Sequence, residues 1–524
     1  MNGVHDLFLN LGIGFQTALS WHNLAICFAG VFVGMVIGVL PGIGSLSAIS
    51  MLFPILLHMD PTSALIMLAG IYYGTAYGGS TTAILLNIPG STSSTVSCLD
   101  GYPMARQGRA GVALFLTTAA SFVAGSIGIL LMMLFSPMIV EIAFAFGSTE
   151  YFAIMVLGLV MTAGVSEGSA IKAIAMVLFG IMLGLVGIDP DSGASRFTFG
   201  YTSLFDGVSL TALAMGIFGI AEVVSSLHDP ETPKPERVRL RDMIPTSDDR
   251  RRFWGPTLRG TAIGSFFGAL PGTGATVASF ISYAFEKRIA RDPSRFGKGA
   301  VEGICAPEAA NNAADQTAFI PTMTLGIPGS PTMALILSIL IIQNITPGPR
   351  LMVDHPEMFW GLVASFWLGN LMLVILNIPM IGLWVRVLQI PYPVLYPAIL
   401  LFVCFGVYGI NNSADDLIQT LIFGLFGYAM RQFGFPAPPL LLGFVLGPLM
   451  EEHFRRALTL SHGDPTIFFH SPISASILVL SAVVLLMAVA LTVRRQKKGR
   501  TSASSASPEE TPPLSSNPGE SRHD

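Results

Sequence analysis

Gly34-Met35-Val36-Ile37-Gly38-Val39-Leu40-Pro41-Gly42-Ile43-Gly44 recurs 230 positions later as Gly264-Ser265-Phe266-Phe267-Gly268-Ala269-Leu270-Pro271-Gly272-Thr273-Gly274. A second element, Asn87-Ile88-Pro89-Gly90-Ser91, recurs 239 positions later as Gly326-Ile327-Pro328-Gly329-Ser330. The two offsets describe long half-chains that repeat with a nine-residue insertion. Each element sets Pro-Gly beside an apolar run. In a bilayer such a break leaves backbone polar groups without partners unless they line a protected polar cavity. Matching interrupted segments in two halves of a membrane chain point to a transporter's binding site.

The surrounding sequence sets the class. The 524 residues are 52% hydrophobic and 11% charged, with mean hydropathy +0.65, whereas soluble domains carry about a quarter charged residues. Stretches 21–39, 110–135, 151–165, 169–187, 207–226, 358–385, 393–410 and 472–493 approach the roughly 20 apolar residues that cross a bilayer. With the broken segments they predict an all-α polytopic membrane protein of about 11–13 transmembrane or half-membrane helices. The net charge of −4 points to no nucleic-acid partner. Cys27, Cys98, Cys305 and Cys404 are widely spaced and read as apolar core residues, so neither a disulfide framework nor a zinc site is expected. The start lacks the basic segment and small-residue site of a cleavable signal peptide.

The chain divides into a first repeat (1–226), a charged linker (227–259), a second repeat (260–450), a connecting segment with a final transmembrane helix (451–493) and a Ser/Pro-rich tail (494–524). The tail cannot bury a core and is expected to be disordered. Basic loops face the cytoplasm. The first half has no Lys or Arg between its two motifs (Leu57 to Ser63) but carries Arg106 and Arg109 after the second. The second half reverses this, with Lys287, Arg288, Arg291, Arg295 and Lys298 between its motifs and only Arg350 after them. Equivalent turns therefore fall on opposite sides. The halves are expected to be inverted-topology repeats with re-entrant, Pro-Gly-broken segments, the linker and C-terminus cytoplasmic.

Pro-Gly followed by Ser or Thr exposes backbone N–H groups at a new helix start, where donors and dipole favour a carboxylate or phosphate. Candidate substrate contacts are Asn87, Gly90, Ser91, Thr92 and Ser93, facing Gly329, Ser330 and Thr332. The competing reading is that these small residues only let helices pack closely. The Leu-Pro-Gly-x-Gly turns suit cations: unwound carbonyls around Gly42, Gly44, Gly272 and Gly274, with the hydroxyls of Ser45, Ser47, Thr273 and Thr276, offer oxygen ligands. Here the competing reading is a structural kink. Ionisable residues at membrane depth are functional candidates, and Ala306-Pro307-Glu308-Ala309-Ala310-Asn311-Asn312-Ala313-Ala314-Asp315-Gln316 is the most polar such stretch. Asn311 and Asn312 are candidates for ligand carboxylates, Glu308 and Asp315 for ion coupling. The plainer alternative has Glu308 capping a helix after Pro307 in a water-facing segment. Tyr72, Tyr73 and Tyr77 read as packing or interface aromatics, with Tyr77, beside Gly78-Gly79, the one that is also a candidate ligand contact.

Gly38-x-Leu40-Pro41-Gly42-x-Gly44, Tyr73-Gly74-x-x-Tyr77-Gly78-Gly79-Ser80, Leu270-Pro271-Gly272-x-Gly274 and Ala306-Pro307-Glu308-Ala309-Ala310-Asn311-Asn312-Ala313 resemble the large membrane subunit of tripartite tricarboxylate transporters, over about residues 20–450. The resemblance implies a bacterial inner-membrane carrier that works with a small membrane subunit of about four helices and a periplasmic solute-binding protein, importing citrate-like or other carboxylates on an ion gradient.

The expected function is secondary active import of di- or tricarboxylates without an organic cofactor, sodium being the favoured coupling ion and protons second. A homodimer in the lipid bilayer is a further arrangement to test. No G-x-x-x-x-G-K-[ST] loop supports ATP-driven transport. The alternatives are an intramembrane transferase, for which the dispersed histidines offer no catalytic cluster, and a passive channel or scaffold, which leaves the broken helices unexplained.

Overall fold

The computed structural model describes residues 2–40, 44–165, 169–189, 192–226, 238–388 and 392–504. The first half comprises α1 (Asn2–Ala18), α2 (Trp21–Val39), α3 (Ser45–Leu57), α4 (Pro61–Leu86), α5 (Thr95–Met104), α6 (Ala110–Ala143), α7 (Ser148–Val165) and α8 (Ala170–Gly184). An antiparallel hairpin of β1 (Gly187–Ile188) and β2 (Ser195–Arg196) follows. Then α9 (Leu210–Ala214) runs through one π-helical segment into α10 (Ala221–Ser226). The second half comprises α11 (Ser247–Ala269), α12 (Gly274–Ile289), α13 (Val301–Thr317), α14 (Phe319–Leu325), α15 (Pro331–Ile342), α16 (Leu351–Asp354), α17 (Pro356–Asn377), α18 (Ile381–Val387), α19 (Tyr392–Asn411), α20 (Ala414–Gln432) and α21 (Ala437–Leu460). Two more helices, α22 (Ile467–His470) and α23 (Pro472–Ser504), end the described chain.

Among the described residues, four stretches are long and apolar enough to cross a membrane: Trp21–Val39, Thr95–Ala143, Pro356–Asn377 and Pro472–Ala490. Shorter apolar helices, among them Ser45–Leu57 and Pro331–Ile342, fill the spaces between them. The protein is an all-α multi-pass membrane protein. Helix α11 already begins at Ser247, inside the charged 227–259 stretch, where Thr246 and Asp249 cap it reciprocally. Asp60 caps α4 by accepting from Ser63 N at 2.9 Å, with Pro61 at the first helical position. Cys27 and Cys305 are core residues as expected, whereas Cys404 is exposed on the outer helix α19.

Small residues dictate the central packing. A methyl group on Gly30, Gly34 or Gly38 of α2 would sit 2.6, 2.4 or 2.5 Å from the carbonyl oxygens of Met67, Ile71 and Thr75 on α4. Both series rise together, so α2 and α4 are parallel and touch backbone to backbone, as glycine seams permit in membranes. Gly260, Gly264 and Gly268 of α11 stand identically against Ala306, Ala310 and Ala314 of α13, at 2.2, 2.2 and 2.4 Å. These positions obey the offsets of 230 and 239 read from the motifs.

Between halves the direction reverses. Tyr72 and Ser80 of α4 meet Asp315 and Glu308 of α13, so these two equivalent helices are antiparallel. Helix α6 lies beside α13 through Ser121 with Asn312, and α17 beside α4 through Asn370 with Tyr77. Each half thus lends one long helix to the centre of the other.

The turns sort into two groups. Arg109 reaches Asp249 at 2.7 Å, and Gln107 donates to Lys298 O at 2.8 Å. Asp100 accepts the backbone N–H groups of Gly297, Gly299 and Ala300 at 2.9, 2.8 and 2.8 Å. The basic turns of both halves and the linker's end therefore share one face. Elsewhere, Gln343 beyond the second arm donates to Leu56 O and Met59 O at the α3–α4 turn, which carries no Lys or Arg.

Candidate functional site

Helices α2 and α11 both end at an extended leucine, Leu40 (φ −77°, ψ 123°) and Leu270 (φ −87°, ψ 124°). Of the candidate cation residues, Gly42 lies outside the described residues. Gly44 approaches Gly90 O and Ser91, and Gly274 approaches Ser330, both as ordinary close contacts. Gly272 N donates to Gly329 O at 3.1 Å. A methyl on Gly90 would press on Gly79 and Gly38 O, and one on Gly329 on Ala318 and Gly268 O. In each half the two Pro-Gly elements therefore meet, at the depth of the same glycine seam.

The arms also reach across. Ser45 Oγ at the start of α3 lies 3.3 Å from Thr332 Oγ1 in the second arm. Thr276 Oγ1 at the start of α12 lies 2.8 Å from Thr92 Oγ1 in the first. Ser91 and Ser93 bond each other at 3.0 Å, and Ser330 caps α15 by accepting from Met333 N at 3.3 Å. Asn87 and Thr92 are exposed, whereas Ser330 and Thr332 are buried. The Thr273 hydroxyl is committed to Phe267 O, and Ser47 is buried in α3.

Pro307 lies inside α13, so Glu308 is no helix cap. It is 1% exposed and accepts from Ser80 at 2.7 Å, Ser121 at 3.0 Å, Ser97 at 3.1 Å and Asn312 Nδ2 at 3.3 Å. The Asp315 carboxylate accepts from the Tyr72 hydroxyl. The tyrosines are thus polar members of the core rather than packing alone, since Tyr77 also donates to Asn370 Oδ1 at 3.0 Å. Sequence reasoning missed Ser80, Ser97, Ser121 and Asn370. It carried one usable signal, because the 239 offset puts Tyr72, Tyr73 and Tyr77 where the second half has Asn311, Asn312 and Gln316.

Asn311 and Asn312 do different things. Asn312 Nδ2 is bound to Ser121 at 2.7 Å and to Glu308 O at 3.0 Å. Asn311, 1% exposed, has no hydrogen-bond partner on either amide atom. One helical turn earlier, Pro307 O accepts from Ser279 of α12, so Asn311 falls between the α12 side of α13 and the Glu308 side. A buried amide without partners is rare in folded proteins and calls for an explanation.

Broken helices, Pro-Gly arms that meet, and the buried carboxylates of Glu308 and Asp315, whose partners among the described residues are hydroxyls and an amide, are features of a membrane transport protein. Residues 24–442 match the model of the tripartite tricarboxylate transporter TctA family, and the chain belongs to that family, one of transporter subunits. It is 48% identical over 492 residues to an uncharacterized 52.8 kDa protein in the TAR-I ttuC' 3' region of Agrobacterium vitis, covering 94% of this chain and 98% of that one. It is 52% identical over 234 residues to an uncharacterized protein in the TAR-II ttuC' 3' region of the same organism, covering 45% and 97%. No solved structure matches it significantly.

Proposed function

We propose that this chain is the transport-path subunit of a carboxylate importer whose two inverted halves each lend one broken arm to a shared anion site. The observation that carries the reading is the reciprocal contact of the arms, Ser45 with Thr332 and Thr276 with Thr92. The antiparallel pairing of α4 with α13 and the gathering of basic turns on one face support the inversion, with that face cytoplasmic in the bacterial inner membrane. Residues 1–226 and 260–450 are then the repeats.

At the starts of α5 and α15, backbone donors and the hydroxyls of Ser91, Thr92, Ser93, Ser330 and Thr332 receive a di- or tricarboxylate, with Asn311 facing it from α13. The breaks at Gly44, Ser45, Ser47, Gly272, Thr273, Gly274 and Thr276 offer oxygens to a coupling cation, sodium before protons, and Glu308 and Asp315 carry the compensating charge. A periplasmic binding protein and a small membrane subunit deliver the substrate.

Uptake of radiolabelled citrate and related acids into proteoliposomes holding both membrane subunits, with the binding protein supplied, tests this. Uptake should require the binding protein and an inward sodium gradient. Flux that persists without any gradient would make the protein a channel.

A further inference from the structure

A second polar cluster, made of residues outside the arms, lies between α4, α6, α13 and α17. Tyr73, Asn312 and Gln316 are 2%, 1% and 0% exposed, yet Tyr73 Oη, Asn312 Oδ1 and both Gln316 amide atoms have no hydrogen-bond partner. They converge along one face of α6. Ser121 Oγ is 2.7 Å from Asn312 Nδ2. A methyl on Gly125 would lie 3.2 Å from Tyr73 Oη, and one on Gly128 would lie 2.7 Å from Gln316 Cβ. The spacing 121, 125, 128 is one helix stripe, and its two glycines let Tyr73 and Gln316 approach α6 closely. Asn370 of α17 closes the same level, 3.1 Å from both Phe122 O and Ser126 Oγ.

Charge gives this centre its chemistry. Glu308 sits one turn from Asn312 and bonds its amide at 3.3 Å. Helices α4, α6, α13 and α17 contain no Lys or Arg. A buried carboxylate takes up a proton or a counter-charge. Asp315, next to Gln316, is occupied by the Tyr72 hydroxyl, and a centre in which neutral oxygens outnumber carboxylates suits a monovalent hard cation better than a divalent ion, which gathers more carboxylates.

We propose that the α4–α6–α13–α17 junction binds a sodium-sized cation through Tyr73 Oη, Asn312 Oδ1 and Gln316 Oε1 beside Glu308. The inference deepens the cation-coupled reading above and adds an ion position separate from the Pro-Gly turns.

The test is thermal unfolding of the detergent-purified chain titrated with NaCl against KCl and choline chloride, which needs no transport. Wild type should be stabilised by sodium specifically. Tyr73→Phe, which removes one oxygen, and Gln316→Leu should each raise the half-stabilising sodium concentration about tenfold or more, the scale on which metal sites respond to lost supporting groups. Unchanged titrations in both variants, or no sodium-specific stabilisation of wild type, overturn the proposal. Proteoliposome uptake separates it from the carrier reading. Carboxylate uptake by a protein that sodium does not specifically stabilise leaves the carrier and removes this site, whereas shifted sodium titrations without carboxylate movement keep this site and remove the carrier.

Discussion

Asn87 and Gly326, 239 positions apart, turn the chain with the same left-handed backbone, at φ 60°, ψ 26° and φ 69°, ψ 23°. Both end the helix that precedes an Ile-Pro-Gly-Ser arm, so the two arms leave their seams along the same local path.

Left-handed backbone favours glycine and tolerates asparagine, while a β-branched side chain is strained there by about 1–3 kcal/mol. Asn87→Gly should therefore keep or raise the melting temperature. Gly326→Val should lower it, more so because its β-carbon would lie 3.0 Å from Pro347 O. Thermal unfolding in detergent measures both.

Asn311 and Asn370 separate ligand contact from scaffold. Asn370 is fully buried and holds Tyr77, Phe122 O and Ser126 together, so Asn370→Ala should cost about 1–3 kcal/mol by leaving those groups unpaired. Asn311→Ala removes no hydrogen bond within the fold. It should leave the melting temperature within a degree or two while cutting carboxylate uptake about tenfold or more.

The arm contacts are open to direct chemistry. In a background with the four native cysteines replaced, Ser45→Cys with Thr332→Cys should form an oxidative cross-link, since the native hydroxyl oxygens are 3.3 Å apart. Thr92→Cys with Thr276→Cys should do the same. Each bond should stop uptake, and reductant should restore it. Failure of both pairs to cross-link would show that the arms do not meet.

Acid should release the basic face. Burial pushes the Asp249 carboxyl up, but its bonds to Arg109 and Thr246 more than offset this and hold it below the usual aspartate range. The stabilisation is therefore fully present above the ordinary value of about 3.9 and is lost as pH falls through the lower folded value. Asp249→Asn should melt earlier than wild type at pH 7, and the gap should close as pH drops below about 4. A constant gap across that window would count against the pairing.

How much of this was legible in the sequence follows from what each feature depends on. The Pro-Gly pairs and the offsets of 230 and 239 are local and marked where the helices break, whereas the backbone contacts at Gly34 and Gly264 appear only once α2 meets α4 and α11 meets α13. The lysine and arginine distribution anticipated which turns gather. The serines around Glu308 were invisible, since Ser80, Ser97 and Ser121 meet only where three helices of one half close on α13 of the other. The tyrosines were read as packing because an aromatic ring in an apolar helix gives no sign of the partner its hydroxyl will find.

The Glu308 clasp bears on how the chain is made. Three of its four side-chain donors (Ser80, Ser97 and Ser121) belong to the first half, while the carboxylate arrives with the second, more than 180 residues later in synthesis. Residues 260–450 expressed alone would carry that acid into lipid without them, so the earlier half is expected to assist the folding of the later one. Severed halves should accumulate only when produced together.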